Sequence, residues 1–208
     1  MHDMVHVLKH PLALDKLTRL RDQATRPSEF RRLVADLAVM IFLDATHHVH
    51  TTPTLVQTPL AEYEGRRISD RIGLFPILRA GLGMAEAILQ FVPDAHVWHL
   101  GLFRDHETLK PVTYYNKLPE KPGLDFAVVL DPMLATGGSA AAVIETLTRR
   151  DIPRLAFIAL IAAPEGVRVL RERFPAVPLY LGAIDNQLNE KGYIVPGLGD
   201  AGDRQFAT

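Results

Sequence analysis

Cysteine is missing from the 208-residue chain, and that one absence removes disulfides, thiolate zinc sites and a cysteine nucleophile together. A reducing compartment suits such a chain, and a cytoplasmic protein is expected. An excess of charge of either sign is also lacking. The formal net charge is −1, which leaves no overall field to draw in nucleic acid or an anionic membrane, so neither is expected as a partner. Any phosphate must therefore be held locally. Long hydrophobic runs are lacking too: the longest, Leu155 to Ala163, is far too short to cross a bilayer and suits a buried strand. Asp3, Lys9, Asp15, Lys16 and Arg19 interrupt the start of the chain, so no hydrophobic signal region forms there. With no internal repeat, low-complexity tract or linker either, residues 1–208 are expected to form one domain.

What is present is an ordinary globular mixture, 48% hydrophobic and 23% charged, which is enough to build a sizeable core. Phe30, Leu33, Val34, Leu37 and Ile41 fall at helical spacing behind Pro27, a residue suited to the first turn of a helix. The stretch from Pro11 to Asp22 also reads as a helix. His47 to Gln57 is polar and reads as a loop or hairpin. Beyond it, apolar strand and helix alternate. Strands are expected at Ile72 to Ile77, Ala95 to Phe103, Phe126 to Leu130, Leu155 to Ala163 and Leu179 to Ile184. Helices are expected at Leu82 to Val92, Ser139 to Arg150 and Val167 to Phe174. Such alternation predicts an α/β fold, a parallel sheet covered by helices on both faces, with ligands beyond the carboxyl ends of the strands.

The sharpest local signal is FAVVLDPMLATGGS, from Phe126 to Ser139, leading directly into a helix. A buried strand ends at Asp131, and a small-residue loop then runs through Pro132, Met133, Leu134, Ala135, Thr136, Gly137, Gly138 and Ser139. Glycines let the backbone turn tightly and approach a ligand, and the free N–H groups at a helix start converge on phosphate. A side chain at Gly137 is expected either to forbid the required backbone angles or to fill the phosphate's space. The loop has neither the lysine of a Walker A sequence nor the glycine spacing of a dinucleotide fingerprint.

This string resembles the phosphoribosyl pyrophosphate loop of the phosphoribosyltransferases, and its form DPMLATGGS resembles that of the uracil branch. Most of the superfamily carries two adjacent acids here. Pro132 in the second place departs from that general pattern and agrees with the uracil branch. The resemblance extends through KHPL (Lys9 to Leu12), FPILRAGLGM (Phe75 to Met84) and NEKGYIVPGLGDAGDR (Asn189 to Arg204), in the same order.

The resemblance implies a parallel-sheet phosphoribosyltransferase fold with flanking helices, a protruding arm and a C-terminal base-binding segment. It implies transfer of ribose 5-phosphate from phosphoribosyl pyrophosphate to uracil, giving UMP and pyrophosphate, with magnesium held through the donor and water. By the same likeness Asp131 holds the ribose hydroxyls, residues 135–139 cradle the 5-phosphate, and Arg79 and Arg104 face the pyrophosphate. Ala80 and Gly81 would allow the backbone close approach, and Arg104 would open the arm that contains Tyr114 and Tyr115. The main chain of Ile194, Gly199, Asp200 and Ala201 would read uracil, with the Asp200 side chain turned toward the donor. Family habit also implies a homo-oligomer and leaves GTP as a candidate effector.

Taken on the residues alone, Arg79 and Arg104 read as solvated surface cations, and the glycine-rich tail as a flexible end. His47, His48 and His50 read as a solvated loop, because no HExxH spacing or local carboxylate accompanies them. His96 and His99 fall on opposite faces of the expected strand. Three rival readings remain at this stage: a transferase for hypoxanthine or xanthine, a regulatory protein that binds RNA, and a silent relative. An RNA-binding role would want a basic patch. The retained acids, arginines and phosphate loop show no lesion that silence would require.

Overall fold

The structure is a computed structural model that describes residues 4–104, 111–116 and 118–208, with the backbone alone described for residues 100–104 and 111–116. The chain opens with β1 (Val5–Val7), α1 (Pro11–Arg21), α2 (Pro27–Ala45) and a hairpin of β2 (Thr51–Gln57) and β3 (Glu62–Ile68). Next come β4 (Ile72–Pro76), α3 (Leu82–Phe91), β5 (His96–Val97), β6 (Leu100–Arg104), β7 (Pro111–Asn116), β8 (Phe126–Leu130) and β9 (Met133–Leu134). The last part holds α4 (Gly138–Thr148), β10 (Arg154–Ala162), α5 (Pro164–Arg173), β11 (Leu179–Ile184), β12 (Gln187–Leu188), β13 (Ile194–Val195) and α6 (Ala201–Phe206).

One sheet organises the molecule. Its strands run β1-β11-β10-β8-β4-β5, all parallel, with β9 continuing the β8 side of β10. Successive side chains of a strand point to opposite faces, and β8 shows how both faces are buried. Phe126, Val128 and Leu130 pack with α1, α2 and α3, while Ala127 and Val129 pack with α4 and α5. Both sets come from an unbroken apolar run, as parallel strands buried on two faces require. Pro27 and Pro164 open α2 and α5, where the missing N–H would have no helical partner. Among the described residues no helix is long and apolar enough to cross a membrane.

The alternation read from sequence matches this sheet, with one correction. Ala95 to Phe103 does not form one strand: β5 stops at Val97, Trp98 donates its N–H to Leu74 at 3.0 Å, and the chain then leaves the sheet. The rest of that run, β6, pairs antiparallel with β7 in a separate ribbon. His96 therefore lies in β5 while His99 lies outside it, so the opposite-face reading of that pair does not hold.

Where β8 gives way to β9, Asp131 and Pro132 interrupt the pairing. The Pro132 carbonyl accepts from both Leu160 and Ile161 at 3.1 Å, and pairing resumes at Met133 with Ile161 in the register that Leu130 and Ile158 had, with no residue gained by either strand. Leu160 and Ile161 both fall in the same core cluster, so the alternation of faces along β10 breaks at that point. That irregularity sits at the carboxyl end of the sheet, next to the acid singled out from the sequence.

Candidate active site

Three segments meet at the carboxyl ends of β4, β8 and β11. The first runs from Asp131 into α4. Asp131 lies at the base of a concavity of about 120 Å³ lined by Met133 to Ala140. Packing around the carboxyl pushes it up to about 7, the Met133 N–H at 3.2 Å pulling weakly the other way. Gly137 has φ +80°, and from Gly138 the helix proceeds with the Ala141 N–H bonded to Gly137 O at 2.8 Å. The N-terminus of α4 has no side-chain cap and no acidic residue in its first turn. Its leading N–H groups therefore face the concavity without an acidic side chain of their own turn to meet them. Thr136 and Ser139 stand exposed at the rim.

Several roomier hollows lie elsewhere. One of about 360 Å³ sits at the amino ends of β8, β10 and β11, and one of about 480 Å³ lies between α1 and α2. Neither opens at the carboxyl ends of the strands, and neither joins a glycine turn to an uncapped helix start.

The second segment, Ile77 to Gly81, follows β4. The Leu78–Arg79 peptide is cis. Gly81 is required for packing, since a Cβ there would lie 2.5 Å from Leu130 O and 2.8 Å from Ile77 N and O. The close approach expected at this glycine is thus to the end of β8, which locks the two loops together. Arg79 reaches across to α6, its Nη2 donating to Asp203 Oδ1 at 3.1 Å and its guanidinium 6.0 Å from the Phe206 ring.

The third segment is the C-terminal string. β12 and β13 form a short antiparallel ribbon pairing Leu188 with Ile194, and the Leu188 N–H is accepted by Glu165 at the start of α5, at 3.0 Å. Asn189 Oδ1 takes the N–H groups of Lys191 and Tyr193 at 3.0 and 2.9 Å. Asp200 caps α6 by accepting from the Asp203 N–H at 2.9 Å. Ile194 and Ala201 are buried, while Gly199 is exposed with φ +78°.

These segments face one another closely. A Cβ built on Gly192 would lie 4.0 Å from Thr136 Cγ2, and one built on Gly202 would lie 3.2 Å from Asp200 Oδ1 and 3.8 Å from Arg79 Nη2. Thr136 thus faces Gly192, Arg79 lies beside Gly202, and Gly81 abuts the end of β8, so the three segments adjoin one another. Arg104 ends β6, and its side chain, like those of Tyr114 and Tyr115, lies outside the described residues.

Sequence reasoning missed Gln205. Its side chain is buried, and Nε2 donates to Ala80 O at 2.9 Å and to Ala201 O at 3.0 Å, joining the Arg79 loop to the C-terminal segment.

Among the described residues no three His, Asp or Glu side chains gather as a metal cage. A single desolvated carboxylate with one backbone donor is what a hard cation would use if most of its oxygens came from a ligand's phosphates and from water. Magnesium fits Asp131 on those terms. His47 and His50 serve local roles instead, toward Asp44 O at 2.8 Å and Asp70 Oδ1 at 3.1 Å.

A family model described as "Uracil phosphoribosyltransferase" matches residues 7–208. The uracil phosphoribosyltransferase of Roseiflexus castenholzii is 56% identical over 204 residues, covering 98% of each chain. That of Dictyoglomus turgidum is 48% identical over 206 residues, covering 99% of this chain and 100% of the other. The solved structure of the AQ2163 protein from Aquifex aeolicus superposes with a TM-score of 0.89 at 39% identity, covering 98% of each chain. A hypoxanthine-guanine phosphoribosyltransferase from Bacillus anthracis reaches a TM-score of 0.50 at 11% identity over 76% of this chain and 80% of its own, a likeness of fold alone.

Proposed function

The chain belongs to the uracil phosphoribosyltransferase family, and we propose on that premise that it transfers ribose 5-phosphate from phosphoribosyl pyrophosphate to uracil, releasing UMP and pyrophosphate. The observation that carries this reading is that an uncapped helix start beside a desolvated aspartate adjoins a loop rich in exposed main chain.

In this reading the N–H groups and hydroxyls from Ala135 to Ser139 hold the 5-phosphate, with Pro132, Met133 and Leu134 setting the loop's path. Asp131 holds the ribose hydroxyls. Arg79 and Arg104 offset the charge that gathers on the departing diphosphate, and Asp200 turns toward the donor. The main chain of Ile194, Gly199, Asp200 and Ala201 meets the edge of uracil. No covalent nucleophile is needed. The protein aligns uracil N1 behind the anomeric carbon and keeps water from that line. Magnesium, held through the donor and water with Asp131 as the nearby carboxylate, would supply positive charge to offset the departing diphosphate.

The reaction is assigned to the cytoplasm and to a homo-oligomer. Leu55, Leu60 and Tyr63 on the β2–β3 hairpin support the second assignment by standing exposed. Sedimentation measures it. The function itself is tested by incubating the protein with uracil and phosphoribosyl pyrophosphate, with and without a magnesium chelator. UMP and pyrophosphate should form in equal amounts, and chelation should stop them. Absence of UMP with magnesium present would refute the reading.

A further inference from the structure

The C-terminal segment is held by a frame that lies outside the opening itself. α1 ends at Arg21, and helix ends leave carbonyls that need partners. Arg204 supplies them: Nη1 donates to Leu20 O at 2.8 Å, and Nη2 donates to Asp22 O. The same Nη1 also donates to Leu198 O at 2.8 Å, so the end of α1 and the C-terminal loop share one guanidinium.

The neighbouring residue, Gly197, is held on both sides of its backbone. Its N–H donates to Asp185 Oδ2 at 2.8 Å, and its carbonyl accepts from Arg21 Nη1 at 2.8 Å. Arg21 and Asp185 are themselves joined by a two-pronged pair, Nη1 to Oδ2 at 2.7 Å and Nη2 to Oδ1. The Asp185 side chain is 3% exposed. It stands just past the end of β11, with its N–H bonded to Ala162 O at 2.7 Å, so it is referenced directly to the parallel sheet. Gly197 cannot be replaced there, because it has φ +65° and a Cβ would fall 2.1 Å from Ile194 O.

We propose that Arg21 and Asp185 are positioning residues that fix the main chain at Gly197 and thereby set the affinity and selectivity for the base. Neither touches the reacting atoms. The inference rests on the reading that the backbone of Ile194 and Gly199 to Ala201 meets uracil. A buried ion pair contributes little net stability compared with apolar packing, whereas a planar guanidinium gripping both carboxylate oxygens fixes orientation. One residue, Leu198, separates Gly197 from Gly199, so tilt at the first is passed to the second. A displacement of about 1 Å at a reacting group can cost on the order of a hundredfold.

Arg21→Lys, Arg21→Met and Asp185→Asn test the proposal. Arg21→Lys keeps the charge but loses the fork. The proposal expects KM for uracil to rise about tenfold in Arg21→Lys and further in the other two, with KM for phosphoribosyl pyrophosphate within about twofold of wild type. The preference for uracil over cytosine should fall in parallel. Amide exchange at residues 197–201 should quicken in Arg21→Lys while exchange in β8 and β10 stays slow. Unchanged KM for uracil, or equal rises in both KM values, would overturn the proposal. Amide exchange of the wild type with and without UMP tests the underlying reading separately. Protection of residues 194–201 by UMP with unchanged uracil KM in the variants would sink the positioning role alone, while no protection would sink the base-reading assignment and the proposal with it.

Discussion

Arg79 and Asp203 are paired across the opening, Nη2 to Oδ1 at 3.1 Å, with both side chains at least half exposed. The cation proposed to meet the donor's diphosphate is thus already engaged by a carboxylate of the protein. An exposed pair of this kind is worth about 0–1 kcal/mol, so the diphosphate can displace it at small cost. Asp203→Asn should tighten donor binding by roughly two- to fivefold while leaving the thermal midpoint within a degree or two. Calorimetry with phosphoribosyl pyrophosphate checks this, and weaker binding would show that Asp203 assists the donor rather than competing with it.

Asp131 should be costly to the fold and necessary to the reaction. Its folded pKa, raised to about 7 by burial, lies above that of an unfolded aspartate. The folded protein therefore keeps a proton that the unfolded chain has released. Its contribution to stability is whole below about pH 4, declines as pH rises toward 7 and then levels off. Asp131→Asn should erase that slope, gaining up to about 4 kcal/mol over wild type at pH 8 and little at pH 4. Turnover should fall roughly 100-fold or more. Parallel melting curves at the two pH values measure the first effect, and an equal shift at both would contradict the burial argument.

Gly137 is required by its backbone more than by the space before it. With φ +80°, an added Cβ would meet Gly166 O at 3.2 Å and Val169 Cγ1 at 3.3 Å, on the side of α5. Of the two effects expected of a side chain here, forbidden angles and occupied phosphate space, the structure supports the first. Gly137→Ala should cost about 1–3 kcal/mol of stability, and the displaced loop should bind donor at least roughly tenfold more weakly. Calorimetry alongside thermal melting separates the two effects, and wild-type donor affinity would place the phosphate elsewhere.

Gln205 links the Arg79 loop to the C-terminal segment. Gln205→Leu would leave the Ala80 and Ala201 carbonyls without their shared donor, at a cost of about 1–3 kcal/mol. KM for uracil and for phosphoribosyl pyrophosphate should rise together. A rise in one alone would mean that the glutamine serves a single loop.

The parts of the site legible in the sequence are those built from adjacent residues. Asp131 to Ser139 forms a strand end, turn and helix start within one short string, and its pattern survives without tertiary information. β3, with the sequence EYEGRRI, carries too much charge to read as a strand and is made one by pairing with β2. β1 is three residues long and is defined by Leu179 to Leu181, far along the chain. The run from Ala95 to Phe103 looked continuous because apolar content does not record where a sheet runs out of partners. Arg21 and Asp185 are 164 positions apart, and Gln205 acts on Ala80 from 125 positions away, so no local pattern could have announced either link.

The proposed reading of uracil by main chain is tested most directly by competitive turnover of uracil, cytosine and 5-fluorouracil at fixed phosphoribosyl pyrophosphate. Uracil offers an acceptor at O4 and a donor at N3, and cytosine reverses both, while fluorine at C5 leaves that edge untouched. Backbone groups held as Gly197 is held cannot rotate to suit the reversed edge. Each buried mismatch costs about 1–3 kcal/mol, and a site built to hydrogen-bond its substrate rejects the wrong partner by up to about 10⁴. Uracil should exceed cytosine in kcat/KM by at least roughly a thousandfold, with 5-fluorouracil close to uracil. Comparable turnover of cytosine and uracil would contradict the account.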